Sequence, residues 1–234
     1  QVCYRPTLLL LCVSMNKKWA ELNKTLQSQL KKEETFSDGV QTVLRLRQEL
    51  FDVLCQLKSE LTREEFNDSP YLNAEGYHSK TIAYSIWHIF RIEDIVAHTL
   101  IRNDEELFML GNFAYRINSP IITTGNELDN KQVVEFSKVL DLDELYMYGI
   151  AVMRSTNEML SNIRFSDLKR KMTDTERARL KQLNVVSADE KAYWLIDYWC
   201  GKDIKGLIQM PFTRHWIMHI EASLRIRNKL LRID

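Results

Sequence analysis

Apolar residues recur at three- and four-residue steps along most of this chain, the spacing that lines one face of an α-helix. Residues 16–33 carry Trp19, Leu22, Leu26 and Leu30 on one stripe. Ser37 has the character of an N-cap for a longer helix running to about residue 61. In that helix Val43, Leu46, Leu50, Leu54, Leu57 and Leu61 share a face. The polar loop NDSPYLNAEGYHSK separates it from a second long helix over about 81–102. A third is predicted over about 142–163, and a fourth begins near Pro211, where proline suits a first turn. Between them, residues 166–210 hold short helical pieces, TDTERARLKQL and ADEKAYWLIDYWC.

The second and third helices are joined by about forty residues that include Pro120 and Gly125. That is too long for a hairpin between antiparallel neighbours, but it can carry the chain back across a bundle, so that the third helix runs parallel to the second. The prediction is an all-α fold: a four-helix bundle with a long crossover and short accessory helices. No repeat or interdomain linker is visible, so residues 15–234 read as a single domain. Met15 opens a hydrophilic amphipathic stretch, and residues 1–14 read as an extension that is disordered or foreign to the native protein.

Composition narrows the function. The chain has 234 residues with only 7 Gly and 4 Pro, a scarcity that favours long helices over a turn-rich β-fold. Lys plus Arg and Asp plus Glu both total 32, so there is no basic excess, and nucleic acid is not expected as a main partner. The run TLLLLCV falls far short of the roughly 20 apolar residues a membrane helix needs, and no small-x-small cleavage site follows it. No membrane association is expected. Cys3, Cys12, Cys55 and Cys200 are scattered without paired spacing, as reduced thiols of a cytosolic protein would be. Cys55 reads as a small core residue. Cys200 reads as nearer a pocket, where a nucleophilic role would need an activating base that the sequence does not identify.

The chemistry concentrates in histidine. His215 and His219 lie four apart in TRHWIMHIEASLRIRNKL, one turn apart on a helix face, so both rings can reach one metal ion. Phe212, His215, His219, Ser223, Ile226 and Leu230 share the face expected to turn inward, with Arg214, Glu221, Arg225, Asn228 and Arg232 opposite. Buried imidazoles without partners are costly, so either a shared metal or bonds to buried hydroxyls and carbonyls must satisfy them.

His88, in YSIWHIFRIEDIVAHTL, shares a face with Ile92, Ile95 and Thr99 and can point to a facing helix. His98 shares a polar edge with Lys80, Arg91 and Asp94, and His78 lies in a loop, so neither is a ligand candidate. Glu93 falls in an otherwise apolar arc with Ile82, Ile89 and Val96. It can support the site or accept a proton there, or it can form a salt bridge to an interior Arg or Lys. HWIMH lacks the glutamate of HExxH, and Glu221 points the other way, so this is not a zincin-type protease site. Tyr193, Trp194, Tyr198 and Trp199 can wall a pocket or serve as ordinary core.

SIWHIFRIED followed by PFTRHWIMHIEASLRIRNKL resembles the DinB/YfiT-like superfamily of bacterial metalloproteins, over most of the chain from about residue 37. The family pattern is one histidine on the second helix and HxxxH on the fourth. In this sequence those positions are His88, His215 and His219. The resemblance implies up-down-down-up connectivity, a divalent ion that is often zinc or nickel, and frequent homodimers. It also implies activity on a small-molecule substrate: a transferase or isomerase reaction with a low-molecular-weight thiol, or a hydrolysis. The alternative is a non-catalytic metal- or ligand-binding stress-response bundle. Neither AYWLIDYWCG nor residues 1–33 map onto a family motif.

Overall fold

Buried stripes and the side chains that meet across them define the architecture. A computed structural model describes residues 7–71 and 76–232. The first helix, α1 (Thr7–Gln29), is followed by a 3-10 turn and by α2 (Phe36–Glu60), and the two form an antiparallel hairpin. Lys18 Nζ meets Glu49 Oε1 at 2.9 Å near one end, and Thr42 Oγ1 meets Gln29 Oε1 at 2.8 Å near the other. Trp19, Leu26 and Leu30 are buried, as their stripe predicts. The start of this helix differs from the expectation, because it runs through Met15 from Thr7 without a break. Residues 1–6 of the expected extension lie outside the described residues. Ser37 lies inside the first turn of α2, and Thr35 is its N-cap, because the 3-10 turn leads straight into the helix.

A short α3 (Arg63–Asn67) with a Thr62–Glu65 capping box turns the chain toward α4 (Ile82–Asp94). All of α4 is buried, and Ile95–Arg102 continue it as a π-helix ending at Asn103 in the left-handed region, φ 57°. A helix buried on every side is the core rod of the bundle. This corrects the polar edge read from the sequence. Arg91, Asp94 and His98 are buried, because the crossover connection and the third long helix cover that edge.

The crossover contains α5 (Leu107–Leu110), α6 (Phe113–Arg116) and α7 (Asn130–Val139), the last opened by an Asp129–Gln132 capping box. The third long helix, α8 (Leu142–Asn162), leads through α9 (Asp174–Gln182), α10 (Glu190–Cys200) and α11 (Ile204–Gln209) to a π-turn over Met210–Arg214. That turn runs directly into α12 (His215–Leu230), so Pro211 sits in a widened turn, not at a fresh helix start. No named strand occurs among the described residues.

Pairs across the bundle fix the directions. Phe51 and Arg47 of α2 meet Phe90 and Glu93 of α4, an antiparallel order. Tyr148 and Ser155 of α8 meet Asp94 and His98, a parallel order. Arg47 and Glu60 of α2 meet Trp216 and Arg227 of α12, again parallel. The connectivity is therefore up-down-down-up, and the long crossover returns the chain as expected.

Gly149 lets α8 pack tightly against Phe90 of α4. A Cβ there would fall 2.5 Å from Cε2 of Phe90, a ring also packed against Phe51 and Trp216. Gly149→Ala is expected to destabilise the fold by about 1–3 kcal/mol of overpacking, partly offset by alanine's better helix propensity. A thermal midpoint equal to or above the parent's would contradict this packing argument.

Candidate metal centre

Three imidazoles converge in the interior. His88 comes from the middle of α4, whose N-cap Thr81 accepts from Tyr84 N at 3.0 Å. His215 and His219 come from the first turns of α12, just after the π-turn. Ring centroids lie 5.1 Å apart for His88 and His215, 4.9 Å for His88 and His219, and 4.7 Å for His215 and His219. Each ring offers a nitrogen within 4.8 Å of the others'. All three residues are buried, at 4%, 7% and 3% exposure in chain order, so water alone cannot satisfy the rings.

Their hydrogen bonding is unequal. His88 Nδ1 lies 2.7 Å from the carbonyl of Thr124. A carbonyl only accepts, so Nδ1 carries the proton and the Nε2 lone pair is left free. The ring stacks on Tyr84 at 5.3 Å and 13°, and the Tyr84 hydroxyl donates to Gly125 O at 2.9 Å. Gly125 has φ +74°, a backbone state that suits glycine, and a Cβ there would meet Trp87 at 2.7 Å. The turn that presents the Thr124 carbonyl thus needs its glycine. Nδ1 of His215 and Nδ1 of His219 are buried without a hydrogen-bond partner. Unsatisfied buried nitrogens cost about 1–3 kcal/mol each.

Burial holds His88 down to about 4, with the nearby Lys80 charge acting in the same direction against the Thr124 bond. His215 and His219 lie well below the ordinary histidine value, first through burial and then through the neighbouring rings. Neutral rings with free lone pairs are the form that ligates a metal. The two orphaned Nδ1 atoms and the fixed tautomer of His88 fit a divalent ion bound by three nitrogens, with further positions for other ligands. Among the described residues no carboxylate or thiol joins the group.

Glu93 belongs to a different cluster. Its oxygens accept from Arg47 Nη1 and Nη2, both at 2.7 Å, and Oε2 also accepts from Trp216 Nε1 at 2.8 Å. Its sequence position leaves two roles open, and the interior salt bridge is the one this geometry shows. Both oxygens are engaged by a guanidinium and an indole, so Glu93 is not placed as a proton acceptor beside the rings. Arg47 itself is absent from the sequence reading, although it shares the Val43–Leu50 face of α2 at helical spacing.

His98 is likewise corrected from solvent-facing to buried. Its Nδ1 lies 2.6 Å from Asp104 Oδ1 and its Nε2 3.0 Å from Ser155 Oγ. Its sequence position made it a poor ligand candidate, and it lies outside the three-ring group. His78 meets Arg225 Nη1 at 2.9 Å and is also outside the group. Cys55 is exposed rather than core, and Cys200 is half-buried, its thiol raised chiefly by desolvation.

A cavity of about 210 Å³ opens beside His88 and His215. Trp194, Tyr198 and Trp199 of α10 wall it, with Tyr77, Ile92 and Pro211, so three of the four aromatics noted in the sequence line this space. Tyr193 lies instead toward Lys181 and solvent. Tyr77 also packs edge-on to His219 at 4.7 Å.

No family model and no curated protein matches this chain. Among solved structures, the crystal structure of the conserved protein of locus from Enterococcus faecalis is similar, with TM-score 0.56 and 15% identity. The match covers 82% of this chain and 96% of that one. At that identity the likeness is one of fold. No helix is long and apolar enough to cross a membrane among the described residues.

Two outcomes follow from the buried charges and rings. Truncating Arg47 to Met leaves Glu93 buried and unpaired and should cost about 3–5 kcal/mol, while the double change Arg47→Met, Glu93→Leu should cost less. Equal losses in chemical denaturation would show the pair is not coupled. Separately, the folded rings titrate below their unfolded value of about 6.5, so the unfolded chain binds more protons as pH falls. The metal-free protein should keep this contribution above that pH and lose it below, by up to about 1.4 kcal/mol per pH unit for each ring. Denaturation midpoints that stay flat from pH 7 to 5 would refute the neutral-ring assignment.

Proposed function

We propose that this chain is a divalent-metal-dependent enzyme of the DinB/YfiT type, with His88, His215 and His219 as the ligands. The observation that carries the reading is the meeting of three buried, neutral imidazoles within 4.8 Å, two of them with an orphaned Nδ1. Zinc or nickel suits the nitrogen donor set, and the family resemblance favours both. The ion would supply Lewis acidity, lowering the pKa of a water or thiol that reaches its open side.

The chain's own residues supply the surroundings. The Thr124 carbonyl holds the His88 tautomer, as second-sphere partners of metal-ligating histidines do. Trp194, Tyr198 and Trp199 present an apolar wall that restricts water beside the rings. The pocket adjoins the rings and takes a small molecule in preference to a polymer. The activity we propose is transfer or isomerisation with a low-molecular-weight thiol, or hydrolysis, in a cytosolic and homodimeric protein.

Protein purified without an affinity tag should carry close to one divalent ion per chain by elemental analysis, as a three-ligand site implies. His88→Ala and His215→Ala should each remove most of it. Metal-loaded protein should then turn over an electrophilic acceptor with a thiol, or hydrolyse an ester or amide. Protein without metal, or retention undiminished in both variants, overturns the reading. A metal-replete protein inert in both assay classes leaves a binding protein in place of an enzyme.

A further inference from the structure

The cavity beside the rings is not closed on its far side. Asn126 lines it and also lines a second, shallower depression with Lys80, Lys131, Lys191 and Asp129. The two spaces therefore adjoin at one side chain. Their chemistries contrast. The inner wall is apolar and aromatic, through Ile92, Trp194, Tyr198, Trp199 and Pro211. The outer one sets three ammonium groups against a single carboxylate.

Lys80 is the lysine to explain. It is partly buried, forms no ion pair within 4.0 Å among the described residues, and rests its Nζ 5.2 Å from the Tyr84 ring. Tyr84 in turn stacks on His88, which puts this cation next to the candidate centre. Desolvation lowers the Lys80 pKa, Asp129 opposes that, and Lys191 adds to it, so the two ammonium groups sense one another. Close cations lacking their full complement of carboxylates are stabilised by an anion.

We propose that the two depressions form one substrate site for a small organic anion. Its apolar body lies against Trp194 and Tyr198 beside the histidines, and its anionic group reaches past Asn126 to Lys80 and Lys191. This deepens the proposed function by naming a substrate class, and it rests on the three-histidine centre being the active centre. A carboxylate and a phosphate monoester both carry the required negative charge.

The test is calorimetric titration with 3-phenylpropanoate, phenyl phosphate and the neutral 3-phenylpropanamide, on metal-free protein and on protein loaded with zinc. At least one anion should bind roughly tenfold or more tightly than the amide, as a charge-assisted contact implies, and the tighter anion identifies the head group. Lys80→Gln should bring anion binding down to the level of the amide while leaving amide binding unchanged. The exposed Lys191→Gln should act in the same direction and guards against misfolding of the first variant. Anions bound no better than the amide, or a preference untouched by both substitutions, overturn the proposal. Anion preference in a chain that retains no metal upholds this site and sinks the metal reading. A metal-retaining chain without the preference does the reverse.

Discussion

The buried Arg47–Glu93 pair is the interaction on which the bundle's geometry depends. Removing two charges from water costs several kcal/mol per ion, and only near-complete hydrogen bonding offsets it. Here the complement is nearly full. Glu93 accepts from Nη1 and Nη2 of the guanidinium and from Trp216 Nε1. Arg47 also donates to Asn157 Oδ1 at 2.8 Å and to Phe212 O at 3.1 Å, and lies over the Trp216 ring at 4.8 Å. Those partners come from α4, α8, the π-turn and α12, so one guanidinium carried by α2 ties together all four long helices. Trp216 is the residue next to His215, and the bond from its indole fixes the rotation of α12 about its axis. With that rotation set, His215 and His219 face His88.

A second buried cluster governs the other support of the centre. Arg91 donates from Nε and Nη2 to Ile122 O, at 2.9 and 2.6 Å, and its Nη1 pairs with Glu106 Oε2 at 2.7 Å. Asp94 accepts from the backbone N–H groups of Leu107 and Phe108, and from the Tyr148 hydroxyl. These bonds fasten the start and the middle of the crossover to α4. Ile122 lies two residues before Thr124, whose carbonyl sets the His88 tautomer. The crossover is thus pinned by the helix that carries the histidine, and it returns the acceptor that orients that ring. Arg91 is a positioning residue for the site although it is remote from it in role.

Much of this was legible from residue spacing. The stripes of α2 and α12 predicted their buried faces, and the length of the 103–141 connection predicted a parallel return. HxxxH on an inward face, with one inward histidine on α4, predicted which rings meet. What spacing did not reveal was tertiary satisfaction. Arg91, Asp94 and His98 look like a solvent edge because charged residues at helical spacing usually are one; here each finds a partner from the crossover or α8, and burial becomes affordable in free energy. Glu93 stayed ambiguous because its cation comes from α2, distant in sequence. The Thr124 acceptor is a backbone carbonyl and carries no residue signature at all. Cys55 was misread because a small thiol fits either face of an amphipathic helix.

The two clusters also decide the electrostatic character of the centre. Two buried acids of these clusters are already committed: Glu93 to Arg47, and Glu106 to Arg91. The rings are neutral, and no carboxylate stands among them. A divalent ion held there by three neutral nitrogens would keep its whole charge, undiminished by its ligands, whereas each carboxylate ligand would cancel one unit. In a cavity walled by aromatic rings that charge would be weakly screened. Lys80 and Lys191 extend the same sign outward along the approach. If the centre is loaded as proposed, an anionic ligand would meet a potential that rises toward the rings, because the ion pairs that hold the helices together also take the neighbouring acids out of play.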